Sequence, residues 1–459
     1  MKKTLILLLV SIGLFSCNQE AKTDTNTIHF SGTVQNADGK DLLIKNLSNK
    51  VVDTIKIDKE NKFDTKLDLD KGYYRLISGK QYTWLYLMPG KDLVMNLDIK
   101  NFDNSINYKG KAAKENNYLA QKVILSTKLR PKNKYTYYGT LSEEKFVSLQ
   151  DSIQQAYDKL LADSKIDNKE FVKNEKLRHK LQKAVLLSRF QPVKRYLDQN
   201  DAFTVSEKFP NPLDGIDFTD EKLAKIPNAT SLVGGLLEYE MNLNKKGDEE
   251  IDPIEMMKVI DTKISNPKLK EELAYGNAKY DLMYTKDLDA FYALFDKMVT
   301  NPDYKTEIKT KYDNIKAMLP GKASPDFKAF DINGKEFHLK DFAGKLVYID
   351  LWATWCNPCR AEMPYLKKIE EKYKDDAITF ISLDVYDDKA KWEAFVTREK
   401  PMGVQLISTD RDMPFLKKYV VDGIPRFILL DKEGKIIDAN APRPSDAKLI
   451  KLIEENLDK

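Results

Sequence analysis

Cysteine and histidine are scarce in this chain, with three of each among 459 residues. A scaffold stapled by disulfides would carry more cysteines, linked across longer loops, and a structural zinc site needs four closely spaced ligands. His29, His179 and His338 lie far from one another and from the single CxxC pair, so no metal site and no bound cofactor are expected. An excess of charge of one sign is also missing. Lys plus Arg number 75 against 71 Asp plus Glu, with the signs interleaved, so no concentrated field draws nucleic acid. Low-complexity tracts and fixed-period repeats are lacking, and "PGKAS" (320–324) lacks the first glycine of a phosphate-binding loop. At 42% hydrophobic and 32% charged, the bulk reads as soluble globular protein rather than a multi-spanning membrane chain. Its length predicts two to four domains.

The opening stretch "MKKTLILLLVSIGLFSC" has two lysines, about a dozen apolar or small residues and Ser16 before Cys17, the layout of an export signal. Leu14 to Cys17 resemble the lipobox of bacterial lipoproteins. That resemblance implies that Cys17 is diacylated, becomes the mature N-terminus and anchors the chain to a membrane facing the periplasm. Asn18 after it favours the outer membrane. Residues 18–27 read as a polar tether.

With Cys17 lipidated, only Cys356 and Cys359 remain as thiols. A disulfide that closes two intervening residues removes little unfolded-chain entropy, so it is a poor staple. A reversible dithiol is the remaining reading. Upstream, "KLVYIDLW" (345–352) is apolar, β-branched and aromatic, and reads as a buried strand. Downstream, Leu366, Ile369 and Tyr373 recur at helical spacing. Cys356 therefore falls at a helix N-terminus, where free N–H groups and the macrodipole stabilise a thiolate. Pro358 suits the first helical turn and stiffens the loop. Cys359, one turn deeper, is expected to resolve a mixed disulfide formed on Cys356.

"WCNPC" after an apolar strand resembles the active site of the thioredoxin superfamily. The resemblance implies that Asp350 is the buried acid that takes the proton of the resolving cysteine. It also implies that Pro364 kinks the active-site helix and that Glu362 is the acid near the dithiol in the TlpA-like branch. "GIPRFILLDKEGKIIDA" (423–439) predicts a cis-proline at Pro425 followed by a hairpin turning at Gly434. In the family the residue before this proline pairs with the substrate backbone, a role that falls on Ile424. Trp355, Asn357 and Pro358 complete the expected substrate-contacting surface. The lead-in at 321–345 and the extra segment at 386–408 are similar to those of TlpA-like and peroxiredoxin-like proteins. A peroxidase is the close competitor, but Ala353 stands where peroxiredoxins carry the threonine of their PxxxTxxC context.

From Ile28 to about residue 110, alternating runs separated by turn signals predict an all-β domain of six to eight strands, a sandwich. Tyr82, Trp84, Tyr86 and Met88 alternate on one face and read as core. Residues 111–319 read as one α-helical domain, with Thr140 and Glu143 as a capping box. A final helix is expected over 445–457. The expected architecture is thus multidomain: an N-terminal all-β sandwich, a central α-helical domain and a C-terminal α/β thioredoxin-like fold over 320–459.

The function expected is a lipid-anchored thiol-disulfide oxidoreductase that reduces protein disulfides, with cytochrome c maturation the commonest role in this branch. Its partners would be proteins carrying disulfides or thiols and a transmembrane thiol electron donor. The rival reading is an envelope binding or assembly lipoprotein whose redox domain is ancillary.

Overall fold

Alternation of period two builds the first elements. In Leu93–Asp98 every second residue is buried, and the same pattern marks Leu42–Lys45. The computed structural model describes residues 27–131, 133–243, 251–410 and 413–457. The signal-like segment 1–17 with Cys17, and the tether up to residue 26, lie outside the described residues. Two compact units emerge, one ending at Leu243 and the other beginning at Asn244. Among the described residues no helix is long and apolar enough to cross a membrane.

Among the described residues of the first unit, eight strands form two four-stranded sheets. One runs Lys62–Leu67, Ile28–Gln35, Leu93–Asp98, Asn107–Lys109; the other runs Val51–Ile55, Leu42–Lys45, Gly72–Ser78, Gln81–Leu87. Phe30 and Met95 from one sheet and Leu42, Leu76 and Leu85 from the other share a core, which makes the pair a sandwich. Gly32 lets its strand approach closely: a Cβ there would lie 2.1 Å from the carbonyl oxygen of Met95.

The outer face of the second sheet is covered by helices. Tyr73, Trp84 and Tyr86 pack against Tyr118 of Ala113–Leu129 and Phe171 of Lys169–Ser188. Trp84 and Tyr86 are core, as expected. Tyr82 is not: one residue into its strand it is 52% exposed, with the Arg75 guanidinium 5.0 Å above its ring. The expected capping box also differs. Ser142 caps Glu143–Asp163 by accepting from the Lys145 N–H, whereas Thr140 ends the preceding helix and Glu143 accepts from the N–H and hydroxyl of Ser206.

A buried polar network joins these helices to the sheet. Glu175 accepts from Lys122 (2.7 Å), Arg178 (3.2 Å), Tyr73 and Tyr118 (both 3.1 Å). Burial alone would raise the Glu175 carboxyl, but Lys122, Arg178 and His179 outweigh it and hold the group well below the usual carboxylate range. His179 bonds Tyr118 through Nε2 and Asp158 through Nδ1.

The second unit opens with four helices, Pro253–Lys263, Pro267–Asp281, Leu288–Met298 and Pro302–Ala317. Asp252, Asn266, Asp287 and Asn301 cap them, and three start with proline, whose missing N–H is no loss there. The expected single helical domain over 111–319 is therefore divided at 243/244. The physical reason is packing: the earlier helices pack on the sandwich or on the helices that cover it, while Pro302–Ala317 packs on the C-terminal fold through Pro414–Lys418.

That fold is a seven-stranded sheet ordered Glu336–His338, Lys328–Phe330, Val404–Ile407, Ile378–Asp384, Leu346–Trp352, Arg426–Leu430, Ile436–Asp438. Leu346–Trp352 pairs parallel with Ile378–Asp384 and antiparallel with Arg426–Leu430. All seven of its residues are buried because both faces are covered. Leu346 and Tyr348 pack on helices Asn357–Lys372 and Ala447–Leu457, while Val347, Ile349 and Leu351 enter the opposite core with Leu406 and Phe415.

Candidate active site

The buried strand ends at Trp352, and after a short turn the helix begins at Asn357. Cys356 is the helix N-cap: its sulfur accepts from the Cys359 N–H at 3.2 Å, and the two cysteines are joined as a disulfide. Cys356 is the more exposed of the pair, 4% against 1%. Its side chain thus occupies the position where helix N–H groups would support a thiolate once the bond is reduced. Pro358 lies in the first turn and Pro364 inside the helix.

An apolar shell surrounds the sulfurs. Trp352, Ala353, Trp392, Phe395 and Ile407 are buried against them, and half-buried Ile424 packs on the same cluster. The Ile424–Pro425 peptide bond is cis. The ladder between Leu346–Trp352 and Arg426–Leu430 ends at the pair Leu351–Arg426, so Ile424 lies beyond the last paired residue. Trp355 is 62% exposed with its ring 6.4 Å from Tyr386; Asn357 and Pro358 are exposed beside it.

Asp350 shares a strand face with Leu346 and Tyr348, the face covered by the dithiol helix. It is buried, and its Oδ1 has no hydrogen-bond partner among the described residues. Burial, reinforced by the carboxylates of Glu370, Glu362 and Asp384, pushes its carboxyl up to about 8. A group titrating there can both take and return a proton near neutrality. Glu362 is buried too, accepting from the N–H (2.9 Å) and hydroxyl (3.0 Å) of Ser445.

Three acids of this site went unread in the sequence. Asp384, at the end of its strand, accepts from the N–H groups of Tyr386 and Asp387, and burial with Asp387 nearby raises it to about 7. Asp387 accepts from the Thr354 N–H at 2.6 Å, tying down the turn that enters the dithiol. Glu370 is raised by burial to about 7, and its carboxylate occupies the space a side chain at Gly403 would need. The usable signal was the acid closing the apolar run "ITFISLD" (378–384), a position that faces the same strand end as Cys356.

The redoxin family model matches residues 319–451. The thiol-disulfide oxidoreductase ResA of Bacillus thuringiensis subsp. konkukian is 37% identical over 118 residues, which are 26% of this chain and 66% of that protein. ResA of Bacillus anthracis is 34% identical over 122 residues, 26% of this chain and 69% of that one. The chain thus spans just under two thirds of the first relative's length and slightly more of the second's. The crystal structure of the thioredoxin domain of a thiol-disulfide oxidoreductase from Bacteroides vulgatus is 30% identical, covering 30% of this chain and 98% of its own, with a TM-score of 0.28. Through its C-terminal domain, the chain belongs to the redoxin-family thiol-disulfide oxidoreductases.

Proposed function

We propose that this protein is an extracytoplasmic, lipid-anchored reductase of protein disulfides. The observation that carries the reading is the joining of a helix-capping dithiol and the unpaired residue before a cis-proline in one apolar shell, with a buried acid in the strand that leads into the dithiol, on the face its helix covers. Cys356 attacks the client disulfide, and one client sulfur leaves as a thiolate. Cys359 then attacks Cys356, re-forming the internal disulfide and releasing the second client thiol. Asp350 receives the Cys359 proton. The backbone of Ile424 offers a docking edge to an extended client segment.

Asn357 and Pro358, between the cysteines, supply neither charge nor imidazole to over-stabilise the Cys356 thiolate, which supports a reducing role. Electrons would reach the dithiol from a transmembrane thiol donor, and the Cys17 segment supports attachment to the envelope, with apocytochrome c among the client candidates. Cys359→Ser should accumulate a mixed disulfide on Cys356 that mass spectrometry identifies. A dithiol that cannot be cycled between its two states in the intact protein, or a potential as high as those of strong disulfide donors, would overturn the proposal.

A further inference from the structure

Lys311 is a buried lysine in a helix that lies outside the seven-stranded sheet. It is 8% exposed, on Pro302–Ala317, and its ammonium donates to the Asp422 carboxylate and to the Lys279 carbonyl. Lysine is almost never buried unless paired; here the partner carboxylate is 55% exposed, so the pair is part-buried at the edge of the layer. Asp422 stands two residues before Ile424. On the other side of the cis bond, Arg426 is buried, donating to the carbonyls of Tyr419 (3.1 Å) and Ala439 (3.0 Å) and reaching Met283 Sδ at 3.3 Å. Met283 and Lys311 both belong to the helical layer that precedes the sheet.

The segment they grip is under backbone constraint. Val420 has φ of 52°, a left-handed conformation that a β-branched residue adopts only when its surroundings impose it. The chain from Val420 to Pro425 belongs to no strand, so the ladder does not hold it in place. Asn314 adds a contact to the Lys417 carbonyl at 3.4 Å. Lys311 thus bonds the loop itself through Asp422, while Arg426 and Asn314 hold Tyr419 and Lys417 just ahead of it and Met283 backs Arg426.

We infer that the helical layer 253–317 is part of the client-docking apparatus: Lys311, through Asp422, holds the Val420–Pro425 loop in the conformation that receives the client backbone, and Met283, through Arg426, steadies its flank at Tyr419. Lys311 is a positioning residue, acting on Ile424 through Asp422 and Gly423. The inference rests on the proposed role of Ile424, and the ligand class is an extended polypeptide containing a disulfide, not a small disulfide that needs no strand pairing.

The test compares full-length wild type with Lys311→Met, Lys311→Arg and Asp422→Asn. Each is assayed with a cysteine-containing peptide disulfide and with a small aromatic disulfide. Lys311→Met should raise the peptide KM about tenfold, the scale of one lost hydrogen-bonded contact, and Asp422→Asn, which loses the charge but keeps an acceptor, should raise it by less, with kcat, the small-disulfide rate and the redox potential unchanged. Lys311→Arg should restore most of the loss. Equal loss with both substrates, or no change, overturns the inference. Hydrogen exchange at 420–424 is read in parallel: protection should fall in Lys311→Met, and unchanged protection overturns the clamp. If wild type exchanges with neither substrate, the redox proposal fails while the exchange data still decide the clamp.

Discussion

The N–H of Thr354 donates to the Asp387 carboxylate at 2.6 Å, and the Asp387 N–H in turn donates to Asp384. This chain of bonds fixes the turn between the central strand and Cys356, because the Cys356 N–H also donates back to Ala353 in the same turn. Charge-assisted bonds to backbone amides are short and directional, so they set where the sulfur sits as well as stabilising the turn. Asp387→Ala should slow exchange at Cys356 about tenfold, equivalent to about 1.4 kcal/mol, while Asp387→Asn, which keeps an acceptor, loses less. Stopped-flow reduction of a peptide disulfide measures both.

Asp350 titrates far above an ordinary aspartate, so the folded state binds its proton more tightly than the unfolded chain does. Between about pH 4 and 8 the folded protein holds more protons, and its stability falls as pH rises through that window by up to about 1.4 kcal/mol per unit. Asp350→Asn should flatten this fall. If Asp350 has the proposed role, it should also lengthen the life of the mixed disulfide on Cys356 by about 10²-fold, because the proposed acceptor of the Cys359 proton is gone. Urea unfolding across pH and quenched-flow trapping of the intermediate test the two halves separately.

The dithiol strand, its helix and the hairpin beyond Pro425 were legible because each is encoded by local pattern: a both-faces-buried strand, a capping residue with proline behind it, and a Gly434 turn. Boundaries moved where tertiary bonds decide. The last helix starts at Ala447 rather than Ser445, whose N–H and hydroxyl are both taken by Glu362. Glu370 sits in "KKIEEK", a run that reads as a solvated face, yet it is buried, with its carboxylate against Gly403. The division at 243/244 was equally hidden, since helical periodicity says nothing about which sheet a helix will cover. Thr140 misled for a related reason: Thr, Ser and Glu in one short span offer two caps, and the longer helix took Ser142.

Glu175 predicts acid sensitivity in the first unit. Its carboxyl is held below the usual range, so its stabilisation is present above about pH 4.5, the unfolded value, and is lost as pH falls toward the folded one. Glu175→Gln should cost about 3–5 kcal/mol at neutral pH, because Lys122 and Arg178 stay buried without their counter-charge. Thermal unfolding of the full chain should show the first unit's transition moving down while reduction of disulfides at Cys356 is unaffected.

Glu362 makes a prediction opposite in sign. Its negative charge is one of three that raise Asp350, after burial and alongside Glu370 and Asp384. Glu362→Gln removes that charge and keeps an oxygen that can accept from Ser445, so the ionised form of Asp350 becomes easier to reach and its titration moves down in pH. At pH 7 a larger fraction of Asp350 is then ready to accept the Cys359 proton, and resolution of the mixed disulfide should speed up below the wild-type midpoint. Glu362→Ala makes the same electrostatic change but also frees Ser445 and the start of Ala447–Leu457, so it should lose stability that Glu362→Gln keeps. Carboxyl carbon NMR of Asp350 across pH reads the shift directly, and an unchanged midpoint in Glu362→Gln would mean that burial alone sets it.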